Sequence, residues 1–138
     1  MTISKVLRAL IDACLDDERT LLTQRRFVGV RSAEALDRMA KERGHFIAEL
    51  ERLAKPAPRP PDGLWAEFLH KAGRSVWETW AGHNAGGAIA SCRQSRARTE
   101  ARYERALRSE LSDKARYVLA AQRRRLRDET HVLNRLQF

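Results

Sequence analysis

The sequence predicts an all-α protein, an antiparallel four-helix bundle with an extra amphipathic helix in its middle connection. Three observations lead there. Ala, Leu, Arg and Glu dominate, while Ile, Val and Thr are sparse, which favours helix over strand. No stretch alternates polar and apolar with period two; apolar residues instead recur at spacings of three and four. At 138 residues, 43% hydrophobic and 33% charged, the chain can bury one core and is not disordered.

The first helix runs from about Ser4 to Gln24, with Leu7, Leu10, Ile11, Cys14, Leu21 and Leu22 as its apolar stripe. Glu18 falls on that stripe. After the loop FVGVRS, Ser32 can cap a second helix that carries Glu34 in its first turn. That helix reaches about Ala54 and turns Leu36, Met39, Ala40, Phe46, Ile47, Leu50 and Leu53 inward. All four prolines follow at once, so residues 55–63 form an extended, non-helical spacer. It lies within one domain, 1–138, because the chain before it is short for an independent unit.

Asp62 and Gly63 open a short amphipathic helix, residues 64–80, holding all three tryptophans, Trp65, Trp77 and Trp80. GHNAGG breaks it, and Asn84 can cap a third helix reaching about Ser109 through Ala88, Ile89, Cys92, Thr99, Tyr103 and Ala106. Ser112 and Asp113 open the fourth, with Ala115, Val118, Leu119, Leu126, Val132, Leu133 and Leu136 inward. Short loops make the first helix antiparallel to the second, and the third to the fourth. The roughly 30 residues between the second and third can travel the bundle's length, as a ferritin-like bundle requires; a plain up-and-down bundle with a decorated loop is the other arrangement. ACLDDER at 13–19 also parallels SCRQSRA at 91–97, a faint internal repeat.

The two cysteines, Cys14 and Cys92, are too few for a disulfide framework and have no CxxC neighbour, so both read as small buried thiols. The short apolar stretch at the start is interrupted by Arg8 and Asp12. It lacks a signal cleavage site, and no run approaches the roughly 18 apolar residues of a membrane span. The expectation is a cytoplasmic protein with no membrane partner.

Polar residues on core stripes carry the chemistry. Glu42-Arg43-Gly44-His45 is an E-x-x-H on the second helix, and di-iron carboxylate bundles combine such motifs with single carboxylates from two other helices. Glu18, Glu42 and His45 are therefore the candidate metal ligands. The fourth helix offers only Asp128-Glu129-Thr130-His131, and the position matching Glu18 holds Arg96, with Arg93 nearby. A cation there repels a metal pair, so Glu18 and Arg96 are expected to form a structural ion pair, with no bound cofactor.

Two stretches, VLRALIDACLDDE and RMAKERGHFIAELERL, precede the mid-chain His70 and Trp77; Cys92 then stands eleven residues before Tyr103 and ERAL. This pattern resembles an uncharacterised proteobacterial family of ferritin-like four-helix-bundle domains, over nearly the whole chain. The family pattern has acidic residues where Arg93 and Arg96 stand; Glu18 and Glu42 match it and His45 does not. The resemblance implies a fold, no established activity, and a stress-related role by analogy alone.

The net charge of +9 is uneven, with residues 93–138 carrying +7 of it. Arg98, Arg102, Arg105, Arg123, Arg124 and Arg127 form a basic surface on the third and fourth helices that could track phosphates. No helix-turn-helix signature, phosphate loop or aromatic interleaving accompanies it. There is no G-x-S-x-G and no cysteine with a histidine partner either. The sequence therefore reads as a non-enzymatic bundle, with nucleic-acid or acidic-partner binding as the alternative and an incomplete metal site third. The broad apolar face of the mid-chain helix points to a homodimer through Trp77 and Trp80.

Overall fold

The computed structural model describes residues 3–54 and 85–136. They form α1 (Ile3–Gln24), a 3-10 turn (Arg25–Phe27), α2 (Val30–Leu53), α3 (Ala85–Leu107) and α4 (Asp113–Arg135). Among the described residues there is no strand, and no helix is long and apolar enough to cross a membrane. The expected Pro-rich spacer 55–63, the helix 64–80 and the dimer contacts Trp77 and Trp80 lie outside the described residues.

Side-chain contacts fix the direction of each helix. Cys14 meets Tyr103 and Asp17 meets Ser95, so α1 and α3 are antiparallel. Arg43 meets Glu129 and the Phe46 carbonyl meets Gln122, so α2 and α4 are antiparallel as well. The short turns make α1 antiparallel to α2, and α3 to α4. Hence α1 and α4 run one way, and α2 and α3 the other. The end of α2 and the start of α3 accordingly lie at opposite ends of the bundle. α1 packs on α2 and α3; α4 packs on α3 and more sparsely on α2.

The core has two apolar halves. At one end Val6, Leu7, Leu10, Phe46, Leu50, Tyr103, Ala106, Leu119 and Leu126 pack together. At the other, Leu21, Leu36, Met39, Ala40, Cys92 and Leu133 do the same. Each helix crosses from one half to the other through a single turn, and that turn carries Asp17, Arg43, Arg96 or Glu129. The layer between the halves is charged.

Local details adjust the expected boundaries. Gly29, not Ser32, occupies the N-cap of α2, accepting a bond from the Ala33 N–H at 2.8 Å, while Ser32 is buried one turn in. Leu22 is 46% exposed; Leu21, Thr23 and Gln24 take the inward positions because the stripe steps from 17 to 21 to 24. Ser112 caps α4 as its sequence suggests, its side chain accepting from the Ala115 N–H at 3.1 Å, with Asp113 in the first turn.

Removing that cap leaves an orphan donor at the start of α4. Ser112→Ala should cost about 1 kcal/mol, read by chemical denaturation; a variant as stable as the native protein would show that the cap contributes nothing.

Candidate functional site

The charged layer is a closed ring with one member from each helix. Asp17 Oδ2 accepts from Arg43 Nε at 3.1 Å and lies 3.4 Å from Arg96 Nε. Glu129 Oε1 accepts from Arg43 Nη2 and lies 2.9 Å from Arg96 Nη2. Signs alternate around the ring: carboxylate on α1, guanidinium on α2, carboxylate on α4, guanidinium on α3. Asp17 and Arg43 are fully buried, Arg96 is 1% exposed, and Glu129 is 12% exposed at its side chain.

Burying a lone charge is prohibitive, so every member needs compensation. Asp17 Oδ1 takes a further bond from Ser95 Oγ at 2.7 Å. Arg96 Nη1 donates to the Leu126 carbonyl at 3.4 Å, and the Arg43 guanidinium sits 4.5 Å over the Phe46 ring. Burial works against the charge of Arg43, but Glu129 and Asp17 together push its pKa up. Positions 17 and 95, which match in the internal repeat, are in direct contact.

Glu129 is pulled two ways. Burial raises its pKa most, a hydrogen bond with Glu42 raises it further, and Arg43 and Arg96 oppose both; the result is about 7. Glu129 Oε2 is buried without a donor. Arg43 Nη1 is also buried without an acceptor.

One turn away a second polar chain joins all four helices. Cys14 Sγ lies 3.3 Å from Tyr103 Oη, which donates to Gln122 Oε1. Gln122 Nε2 in turn donates to the Phe46 carbonyl at 3.4 Å and to Glu49 Oε1 at 3.1 Å. Burial raises the Cys14 thiol to about 11 and the Cys92 thiol to about 12. Both stay protonated near neutral pH and are poor nucleophiles.

The sequence-predicted residues are only partly brought together. Arg96 is a buried ion-pair partner, but its carboxylates are Asp17 and Glu129, not Glu18. The reason is register: Asp17 is three residues after Cys14 and faces the bundle centre, whereas Glu18 is half-buried at the α1–α2 seam. A Cβ on Gly44 would lie 3.7 Å from Glu18 Oε2. Burial raises the Glu18 pKa, and nearby Arg43 lowers it. Glu42 is half-buried and 4.0 Å from Arg125 Nη1. His45 is exposed, because Arg43 takes the inward position of that turn. Among the described residues no three His, Cys, Asp or Glu side chains are placed to hold a metal ion. His131 and Asp128 are exposed on either side of the inward Glu129.

The basic surface is divided. Arg98, Arg102, Arg105, Arg124 and Arg127 are exposed. Arg123 is tied to Glu104 at 2.7 Å, and its hydrogen bond holds that carboxyl below its usual pKa. Glu100 accepts from Thr130 at 2.8 Å. Two acidic residues thus interrupt the α3–α4 seam.

Removing one ring member strands its partners. Asp17→Ala should cost on the order of 3–5 kcal/mol, whereas exposed Arg98→Ala should stay within about 0.5 kcal/mol. Similar melting curves for the two variants would contradict the ring. The Glu129 carboxyl binds its proton more tightly in the folded state, so its contribution is full below the unfolded value of 4.5 and is lost as pH rises to about 7. Stability should therefore fall across that window by up to about 1.4 kcal/mol per pH unit, and Glu129→Gln should flatten the slope. Denaturation at a series of pH values checks this.

No family model, curated protein or solved structure matches this chain.

Proposed function

We propose that this protein is a non-enzymatic, ferritin-like helical bundle in which a guanidinium pair fills the position where carboxylate bundles hold two metals. The observation that carries this reading is the four-helix ion ring. Di-metal bundles turn carboxylates inward from all four helices at mid-height, with histidines from two of them. Here two of the four inward residues at that level are Arg43 and Arg96, and their charges already engage Asp17 and Glu129. The parallel run of α2 and α3 supports the ferritin-like connection, since a plain up-and-down bundle would set them antiparallel.

Catalytic chemistry finds little support among the described residues. The buried thiols are protonated, and His45 and His131 are exposed and apart from the charged layer. A continuous nucleic-acid face along α3 and α4 is less favoured than the sequence suggests, because Glu100 and Glu104 sit in the seam between the two arginine groups.

Elemental analysis of the purified chain tests the proposal. Less than about a tenth of an equivalent of iron, manganese or zinc is expected after incubation with the metals and desalting. Two equivalents per chain, lost in Glu129→Gln, would overturn it.

A further inference from the structure

We infer that the groove between α1 and α3 binds a small phosphate-bearing dianion through Arg98 and Arg102, with Arg19 on the opposite wall. This goes beyond the scaffold reading and does not depend on it.

The groove exists because its floor is made of small residues. Ser95 and Thr99 are buried, and their hydroxyls are already committed, to Asp17 and to the Ser95 carbonyl. Above that floor α1 and α3 leave an open trough of about 240 Å³, walled by Asp16 and Arg19 on one side and Arg98 and Arg102 on the other. Drug-sized ligands usually occupy about 300–1,000 Å³. This trough suits something smaller.

The charge of the walls selects the ligand. Three guanidiniums face one carboxylate, a net of +2. Arg19 answers Asp16 at 2.5 Å, which leaves the α3 pair uncompensated. Arg98 and Arg102 are exposed, one turn apart on the same side of α3, and among the described residues they form no ion pair within 4 Å. The Asp12 carboxylate feels the charge of Arg102 without closing on it. Several other arginines are occupied: Arg43 and Arg96 in the core, Arg123 on Glu104, Arg25 on Asp37, and Arg116 on the carbonyls of Leu107 and Ser109. What sets Arg98 and Arg102 apart from the remaining exposed arginines is that they wall a groove.

One more donor is unmatched in the groove. Arg19 Nε is buried with no acceptor, although its Nη2 is bonded. Buried donors are rarely left orphaned. Guanidiniums engage phosphate oxygens through two parallel bonds, and two of them a helical turn apart can bracket a tetrahedral anion. A phosphate or phosphomonoester dianion matches the groove in charge, size and acceptor number.

The test is calorimetric titration of the native full chain with inorganic phosphate and, separately, ribose 5-phosphate, at about 50 mM salt. R98A/R102A and R124A are run beside it. All three substitutions are on exposed residues, and thermal melts verify that each variant is folded. Saturable one-to-one binding is expected for the native chain and R124A, weakened at least about tenfold in R98A/R102A. Binding of phosphate alone identifies the free anion, and binding of the sugar phosphate alone identifies a monoester; either supports the site. No saturable binding of either compound, or equal affinity in R98A/R102A, overturns it. So does a single-stranded oligonucleotide that binds more tightly than both and is weakened equally by R124A, since that places the contact on the α3–α4 surface.

Discussion

Four charges buried at one level of the bundle constrain everything around them. Asp17, Arg43, Arg96 and Glu129 are each unaffordable alone in the core, and together they neutralise one another around a closed ring. Their closure demands that the four helices share one register. A slip of one helical step on any helix would carry a charged residue out of the layer and strand two partners. The two apolar halves supply the driving force for collapse, and the ring between them decides how the helices align.

Much of this architecture was legible in the sequence. The four long helices, most of their inward positions and the cap at Ser112 follow from periodicity and local chemistry. Arg96 stood out as a cation on an apolar stripe. Its partner did not, because Asp16, Asp17 and Glu18 are consecutive and the stripe can step by three or four after Cys14. Both steps are helical, and only the packing of α3 against α1 selects Asp17. Arg43 was hidden inside the E-x-x-H reading, where attention falls on Glu42 and His45. Yet the spacing Leu36, Met39, Arg43, Phe46, Leu50 places it on the buried stripe. Glu129 lies likewise between Leu126 and Leu133. Charged residues on buried stripes, rather than ligand motifs, mark the ring in the sequence.

The seam between α2 and α4 shows how polar groups replace close helix contact. These two helices approach sparsely, and the bonds across the gap come from long side chains. Arg43 reaches Glu129, Gln122 reaches the Phe46 carbonyl and Glu49, and Arg125 approaches Glu42. The carboxyl that crosses this seam is also the one whose proton affinity is raised to about 7. The sparsely packed seam is thus held in part by a group that titrates near neutral pH.

The ring also favours one topology over its competitor. Around the bundle the observed order is α1, α2, α4, α3, which places charges in the sequence minus, plus, minus, plus. A plain up-and-down bundle would order the helices α1, α2, α3, α4. That arrangement sets Arg43 beside Arg96 and Glu129 beside Asp17, two like-charge contacts in a medium that screens little. Apolar stripes alone fit both arrangements, since leucines pack against leucines in either. A buried ion network adds little stability over an apolar layer of equal volume, and its better attested effect is to penalise alternatives. Here the penalty falls on the shorter connection. The order of charges along the chain, Asp17 then Arg43 then Arg96 then Glu129, sets α2 and α3 at opposite corners of the ring, each between the two carboxylate-bearing helices.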